Sequence, residues 1–223
     1  MRLKQAYAEA ESLIREALAI KRAVYGDEHL EVATSLNGLA QLLTVKRDYD
    51  AAEPVYHEAL GIYRRLLGDE HPYIATVSFN LGRMLMGKRD FAASETVLRE
   101  TLALRRKSLG NRHPNVATAA LHLGRVLMMR GRADQAEPLL RENVVIREDV
   151  LSTDNWRTSY AQVELGICLM HLGRYAEAAS LIRPHHDRMK ARLGEAHIRV
   201  QQARDTLAYL NTVWDATATR EGS

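Results

Sequence analysis

One cysteine, Cys168, stands in 223 residues. A lone thiol excludes an intramolecular disulfide and any zinc site built on a cysteine cluster. Glycine, at 13 residues, and proline, at 5, are too scarce for a collagen-like or proline-rich chain. No apolar run approaches the roughly 20 residues that cross a bilayer. The opening MRLKQAYAEAESLIREAL is charged throughout, so it does not read as a secretory signal. These absences predict a soluble, cytoplasmic protein with no membrane partner. Charge of one sign is also missing: 31 Lys and Arg face 28 Asp and Glu, a net charge of +3. The sequence pI of 9.0 permits nucleic-acid binding. Acidic residues nevertheless interleave with basic ones, whereas a nucleic-acid reader gathers Lys and Arg on one face. No glycine-rich phosphate loop, GxSxG elbow or kinase signature occurs.

What the sequence has is a repeat. GDEHLEVAT starts at Gly26, GDEHPYIAT at Gly68 and GNRHPNVAT at Gly110, two steps of 42 residues. A fourth copy at Ser152 has lost this string but keeps the later register. Leu39, Leu81, Leu123, Leu165 and Leu207 share that spacing, and each precedes a small residue: Ala40, Gly82, Gly124, Gly166, Ala208. Further registers run through Ala10, Ala52, Ser94, Ala136 and Ala178, and through Tyr7, Tyr49, Phe91, Ala133 and Tyr175. A period of this length marks a modular array.

Each repeat reads as two helices. Ile74, Val77, Leu81, Met84 and Leu85 recur at three- and four-residue steps in the first, and Ala52, Val55, Tyr56, Ala59, Leu60 and Tyr63 in the second. Short polar breaks such as Lys46-Arg47-Asp48 and Gly131-Arg132 separate them. Gly68 and Gly110 suit helix ends that need positive φ, and Pro72 and Pro114 suit a first helical turn. The small residue after each Leu lets two antiparallel helices approach closely. No alternating strand pattern appears, so the fold class is all-α.

The pattern resembles the tetratricopeptide repeat (TPR), in its 42-residue kinesin-light-chain-like form. The resemblance rests on Leu81-Gly82, Leu123-Gly124 and Leu165-Gly166, on Ala52, Ala136 and Ala178, and on segments such as HLEVATSLNGLAQLL, YDAAEPVYHEALGIYRRLLG and LGRYAEAASLI. It covers roughly residues 7–214. It implies a right-handed superhelical solenoid of about ten helices. Expected bounds are a half-unit at 7–25, full units at 28–67, 70–109, 112–151 and 154–193, a capping helix at 196–214, and a disordered tail at 215–223. Asn143 and His185 occupy a position that is Ala17 and Ala59 elsewhere, so the fourth unit is expected to pack less well. Pro184 is expected to kink or shorten its helix. The N-terminal half-unit exposes an apolar face that a preceding domain, a missing half-repeat or a homodimer partner would cover.

The resemblance also implies function: a non-catalytic protein–protein interaction scaffold whose concave groove is lined by first helices. Carried over position by position, groove residues are Asn37 and Gln41, Phe79 and Arg83, Leu121 and Arg125, Val163 and Ile167. Met86, Met128, Met170 and Tyr160 lie a turn away, and Asn80 and His122 adjoin the pairs. Such a groove suits a peptide with apolar and acidic side chains, its carboxylates gripped by Arg83 and Arg125. Similar runs also form sensor or docking regions of bacterial multidomain regulators such as serine/threonine kinases, an alternative reading beside that of a helical-repeat nucleic-acid binder. No cofactor, metal or catalytic residue is expected. His29, His71, His113 and His197 recur at one phase of the repeat, which makes them structural. His185-His186-Asp187 lacks the i,i+4 spacing of a helical zinc site. Cys168 sits in the apolar run GICLM, a place for a buried, inert thiol.

Overall fold

The computed structural model describes residues 2–153 and 155–221, with side chains described from residue 5 to residue 214. Among the described residues there are ten helices and no strand: α1 (Arg2–Tyr25), α2 (Leu30–Val45), α3 (Tyr49–Leu67), α4 (Pro72–Lys88), α5 (Phe91–Leu109), α6 (Pro114–Met129), α7 (Ala133–Val150), α8 (Trp156–His171), α9 (Tyr175–Leu193) and α10 (Ile198–Glu221). They form two compact halves, Met1–Gly110 and Asn111–Ser223. First helices are α2, α4, α6, α8 and α10. Their partners α3, α5, α7 and α9 follow them in sequence, and α1 is a second-type helix.

The recurring histidines are helix N-caps. Nδ1 of His29 accepts the N–H of Glu31 at 3.1 Å, that of His71 the N–H of Tyr73 at 3.2 Å, and that of His113 the N–H of Asn115 at 3.0 Å. His197 does the same for Arg199 at 3.2 Å. In the fourth repeat the histidine is replaced, and Asn155 Oδ1 accepts the Arg157 N–H at 2.9 Å. Each bond satisfies one of the orphan donors of a helix start. Pro72 and Pro114 occupy the first turn. Gly68 and Gly110 close α3 and α5 at φ of 79° and 80°, in the half of backbone space that only glycine enters freely.

Each helix pair closes over the Leu–small position. A Cβ on Gly82 would lie 2.8 Å from Leu98, one on Gly124 2.9 Å from Leu140, and one on Gly166 2.4 Å from Ile182. The buried Leu81, Leu123 and Leu165 stand beside these contacts. Ser94, the exception in an alanine register, is buried and donates to the Gly82 carbonyl at 2.7 Å, which satisfies its hydroxyl.

Three expectations change. Pro184 does not shorten α9, which at 19 residues equals α3 and α5. Pro184 and Ser180, whose carbonyl loses its helical donor, are both exposed, which leaves that carbonyl open to solvent. The fourth repeat is well filled, with Leu165, Cys168, Leu169, Ile182 and Met189 all buried. The misfit falls in the third, where Asn143 is fully buried with Nδ2 unpartnered. Finally, α10 continues as helix to Glu221, past the boundary expected at 214. Residues 222–223 of the expected disordered tail lie outside the described residues, as do all side chains of 215–223.

Candidate functional site

In the N-terminal half, α2 and α4 lie side by side with α3 behind them. Two clefts open between them. One, of about 90 Å³, is lined by Gln41, Thr44 and Val45 of α2, Tyr56 of α3, and Asn80 and Arg83 of α4. The other, of about 220 Å³, is lined by Thr34 and Asn37 of α2, Tyr63 of α3, and Tyr73, Thr76 and Val77 of α4. A hydrogen bond between two side-chain amides joins their walls: Asn80 Nδ2 donates to Asn37 Oδ1 at 3.3 Å. Tyr56 and Tyr63 are buried, and burial raises both phenol pKa values. Their hydroxyls bond Thr44 at 3.4 Å and Thr34 at 2.9 Å. The floor is thus hydrogen-bonded and neutral, and the rim carries amides, hydroxyls and one guanidinium.

Arg83 is exposed, 5.9 Å from the Phe79 ring. Among the described residues no carboxylate pairs with it. Phe79 itself is half-buried, because Arg105 of α5 lies 4.2 Å over its ring. Burial pulls the Arg105 pKa down to about 10, so the guanidinium stays charged at neutral pH. Met86 is half-buried one turn further along α4.

The C-terminal half treats the same positions differently. Leu121, Val163 and Met128 are buried at 4%, 2% and 7% exposure, so they belong to the core. Arg125 is held at two points by Glu164, with Nε 2.8 Å from Oε2 and Nη2 on Oε1. Glu164 is 6% exposed. The Arg125 guanidinium also lies 5.4 Å from the Tyr160 ring. Arg199 of α10 also lies over this ring, at 4.5 Å, and donates to the Tyr160 hydroxyl at 2.7 Å. Burial lowers the Arg199 pKa, with Arg125 adding to it. Arg125 therefore grips a carboxylate, as its position predicts, but the carboxylate belongs to this chain. His122 is half-buried beside Leu121. Ile167 and Met170 face a separate cleft of about 380 Å³ between α8 and α10.

The expected residues thus fall into groups. Asn37, Gln41, Asn80 and Arg83 come together on α2 and α4. Arg125 and Tyr160 join a closed network, and Leu121, Val163 and Met128 pack inward. Sequence reading missed Glu164, Arg199 and Arg105, which neutralise or cover the predicted positions. It also stopped one repeat short, since Asp205 and Tyr209 continue the register of Asn37 and Gln41 on α10. Among the described residues no group of three or more His, Cys, Asp or Glu could hold a metal ion. His185 Nδ1 lies 3.3 Å from Ser159 Oγ and His186 Nδ1 2.9 Å from Asp187, so the neighbouring imidazoles diverge. No helix among the described residues is long and apolar enough to cross a membrane.

Tetratricopeptide-repeat profiles match residues 2–31, 32–73 and 80–144, more than half of the chain. The chain belongs to the tetratricopeptide-repeat family. No curated protein matches it. Among solved structures it is similar to BtubC (BKLC) from P. vanneervenii, with 22% identity, a TM-score of 0.77, and 88% of this chain and 78% of that one covered. It is also similar to the nearly identical TPR-like repeats of a Podosopora anserina chain described as a kinesin light chain: 21% identity, TM-score 0.74, coverage 86% and 90%. YrrB, a TPR protein with an unusual peptide-binding site, gives 17% identity, TM-score 0.52, and coverage 87% and 92%. At these identities the likeness establishes the TPR fold.

Proposed function

We propose that this TPR protein is a non-catalytic scaffold that holds an extended partner peptide across the α2–α4 face of its N-terminal half. The carrying observation is the bonded Asn37–Asn80 pair standing between two clefts. A carboxamide presents a donor and an acceptor together, which is what the backbone of an extended peptide requires. Arg83 at one end, with no carboxylate of its own among the described residues, suits an acidic peptide side chain. The peptide-binding site of YrrB, a fold relative, supports the same class of function.

The basic runs do not favour nucleic acid. Arg65 pairs with Glu28 at 2.6 Å, Arg64 with Asp69 at 3.5 Å, and Lys107 with Glu70, while Arg105 is buried. Local carboxylates already balance them.

Selection of a random displayed-peptide library on the full chain tests the reading. Extended peptides carrying Asp or Glu should be enriched, and the enriched peptides should lose at least about tenfold in affinity against Asn80→Ala/Arg83→Ala. Unchanged binding by that variant, with its helicity intact, would refute the site.

A further inference from the structure

The cleft between α8 and α10 repeats the α2–α4 cleft three steps later with its chemistry inverted. The positions of Gln41 and Thr44 are taken by Ile167 and Met170, and those of Asn80 and Arg83 by Thr206 and Tyr209. Gln41 and Thr44 give way to apolar side chains, the Asn80 amide to a hydroxyl, and the Arg83 cation to an aromatic ring. The cleft is also larger, about 380 Å³ against 90 Å³. A carboxylate, Asp205, joins its lining. Between these two levels in the repeat, Glu164 seals the equivalent position by pairing with Arg125. The α8–α10 cleft has no such internal occupant among the described residues.

We propose that this cleft is a second peptide site of opposite charge preference, one that takes an arginine side chain of a partner. Asp205 and Tyr209 stand four residues apart on α10, hence on one helix face. Tyr209 is 65% exposed, so its ring is presented rather than packed. Tyr175, the first residue of α9, lines the same cleft. A guanidinium can stack on an aromatic face while its edge meets a carboxylate, which a compact ammonium does less well. The only ion pair Asp205 makes among the described residues is with its neighbour Arg204, at 3.3 Å, and both are largely exposed. Such surface pairs are weak and yield to a better-placed cation. Ile167 and Met170 form an apolar wall for the arginine stem or a flanking side chain, and the unbranched thioether of Met170 adapts to either. The site does not depend on the α2–α4 reading, since no residue is shared.

The test titrates the isotope-labelled full chain with three blocked pentapeptides, Gly-Leu-Xaa-Leu-Gly, where Xaa is Arg, Glu or norleucine. The arginine peptide should shift the Met170 and Tyr209 amide signals. It should bind about tenfold tighter than the norleucine peptide, the value of one charge-assisted contact. The glutamate peptide should be weakest. Asp205→Asn should bring the arginine peptide down to the norleucine level, and Tyr209→Ala should weaken both. All affinities are read from the Met170 and Tyr209 signals, and Arg83→Ala should leave those of the arginine and norleucine peptides unchanged, which separates this site from the α2–α4 cleft, where the glutamate peptide is expected to bind. Equal binding of the three peptides, absence of shifts around Met170 and Tyr209, or an arginine preference that survives Asp205→Asn would overturn the assignment.

Discussion

Arg89 closes α4 with φ of 69°, and Arg47 ends the equivalent turn after α2 at 63°. Non-glycine residues enter this region at a cost, because Cβ crowds the backbone. The third and fourth repeats place Gly131 and Gly173 at the same position, with φ of 71° and 73°. The chain itself therefore shows which residue relieves the strain. Arg89→Gly should stabilise the protein by about 0.5–1 kcal/mol, read as a rise in the urea midpoint. A second residue-scale effect comes from His185, half-buried in an alanine register and faced by Ser159 and Glu148, with Arg188 on its own helix. Burial is the main cause that lowers its pKa from 6.5, and Arg188 adds to it. The folded state thus prefers neutral imidazole. Its contribution is complete above the unfolded value of 6.5 and is lost as pH falls toward the depressed folded value. His185→Ala removes the titration. Between about pH 7.5 and about pH 5 its urea midpoint should fall less than that of the wild type, and an equal fall would show that other groups carry the slope.

At the scale of helices, the periodic registers were legible because they are set by contacts every repeat makes. The Leu–small crossing, the glycine ends and the capping histidines each solve one local problem the same way several times. Asn155 shows why a lost motif did not mean a lost element: a carboxamide acceptor caps α8 where the imidazole did. The face of the first helices was less legible. A residue such as Arg125 occupies the same position as Arg83, yet its environment is decided by Glu164 from the next first helix, 39 residues away. No period announces that pair. The consequence is that Arg125 holds the fold rather than a ligand. Removing it strands Glu164, which is 6% exposed. Arg125→Ala should cost about 3 kcal/mol, the low end for breaking a buried pair. Arg83→Ala, at an exposed site, should stay within about 0.5 kcal/mol. Thermal or urea unfolding of the two variants makes the comparison.

Across the whole chain, helices touch their sequence neighbours or the next first helix. In the N-terminal half these pairs are α1–α2, α2–α3, α3–α4, α4–α5 and α2–α4, and the C-terminal half follows the same order. Stability in such an array adds up from repeats and their nearest-neighbour interfaces. A local defect should therefore stay local. Gly166 offers a clean one, because an added Cβ would meet Ile182 at 2.4 Å and the Ala178 carbonyl at 3.3 Å. In the first repeat Ala40 stands at this register, and the position of Ile182 is taken by Tyr56. Ile182 is fully buried. Gly166→Ala should cost about 1–3 kcal/mol through overpacking. Native-state hydrogen exchange should show that loss in α8 and α9, attenuated in α7 and α10, while α2 to α4 keep wild-type protection. A uniform loss across all ten helices would mean that the chain unfolds as a single cooperative block instead of repeat by repeat.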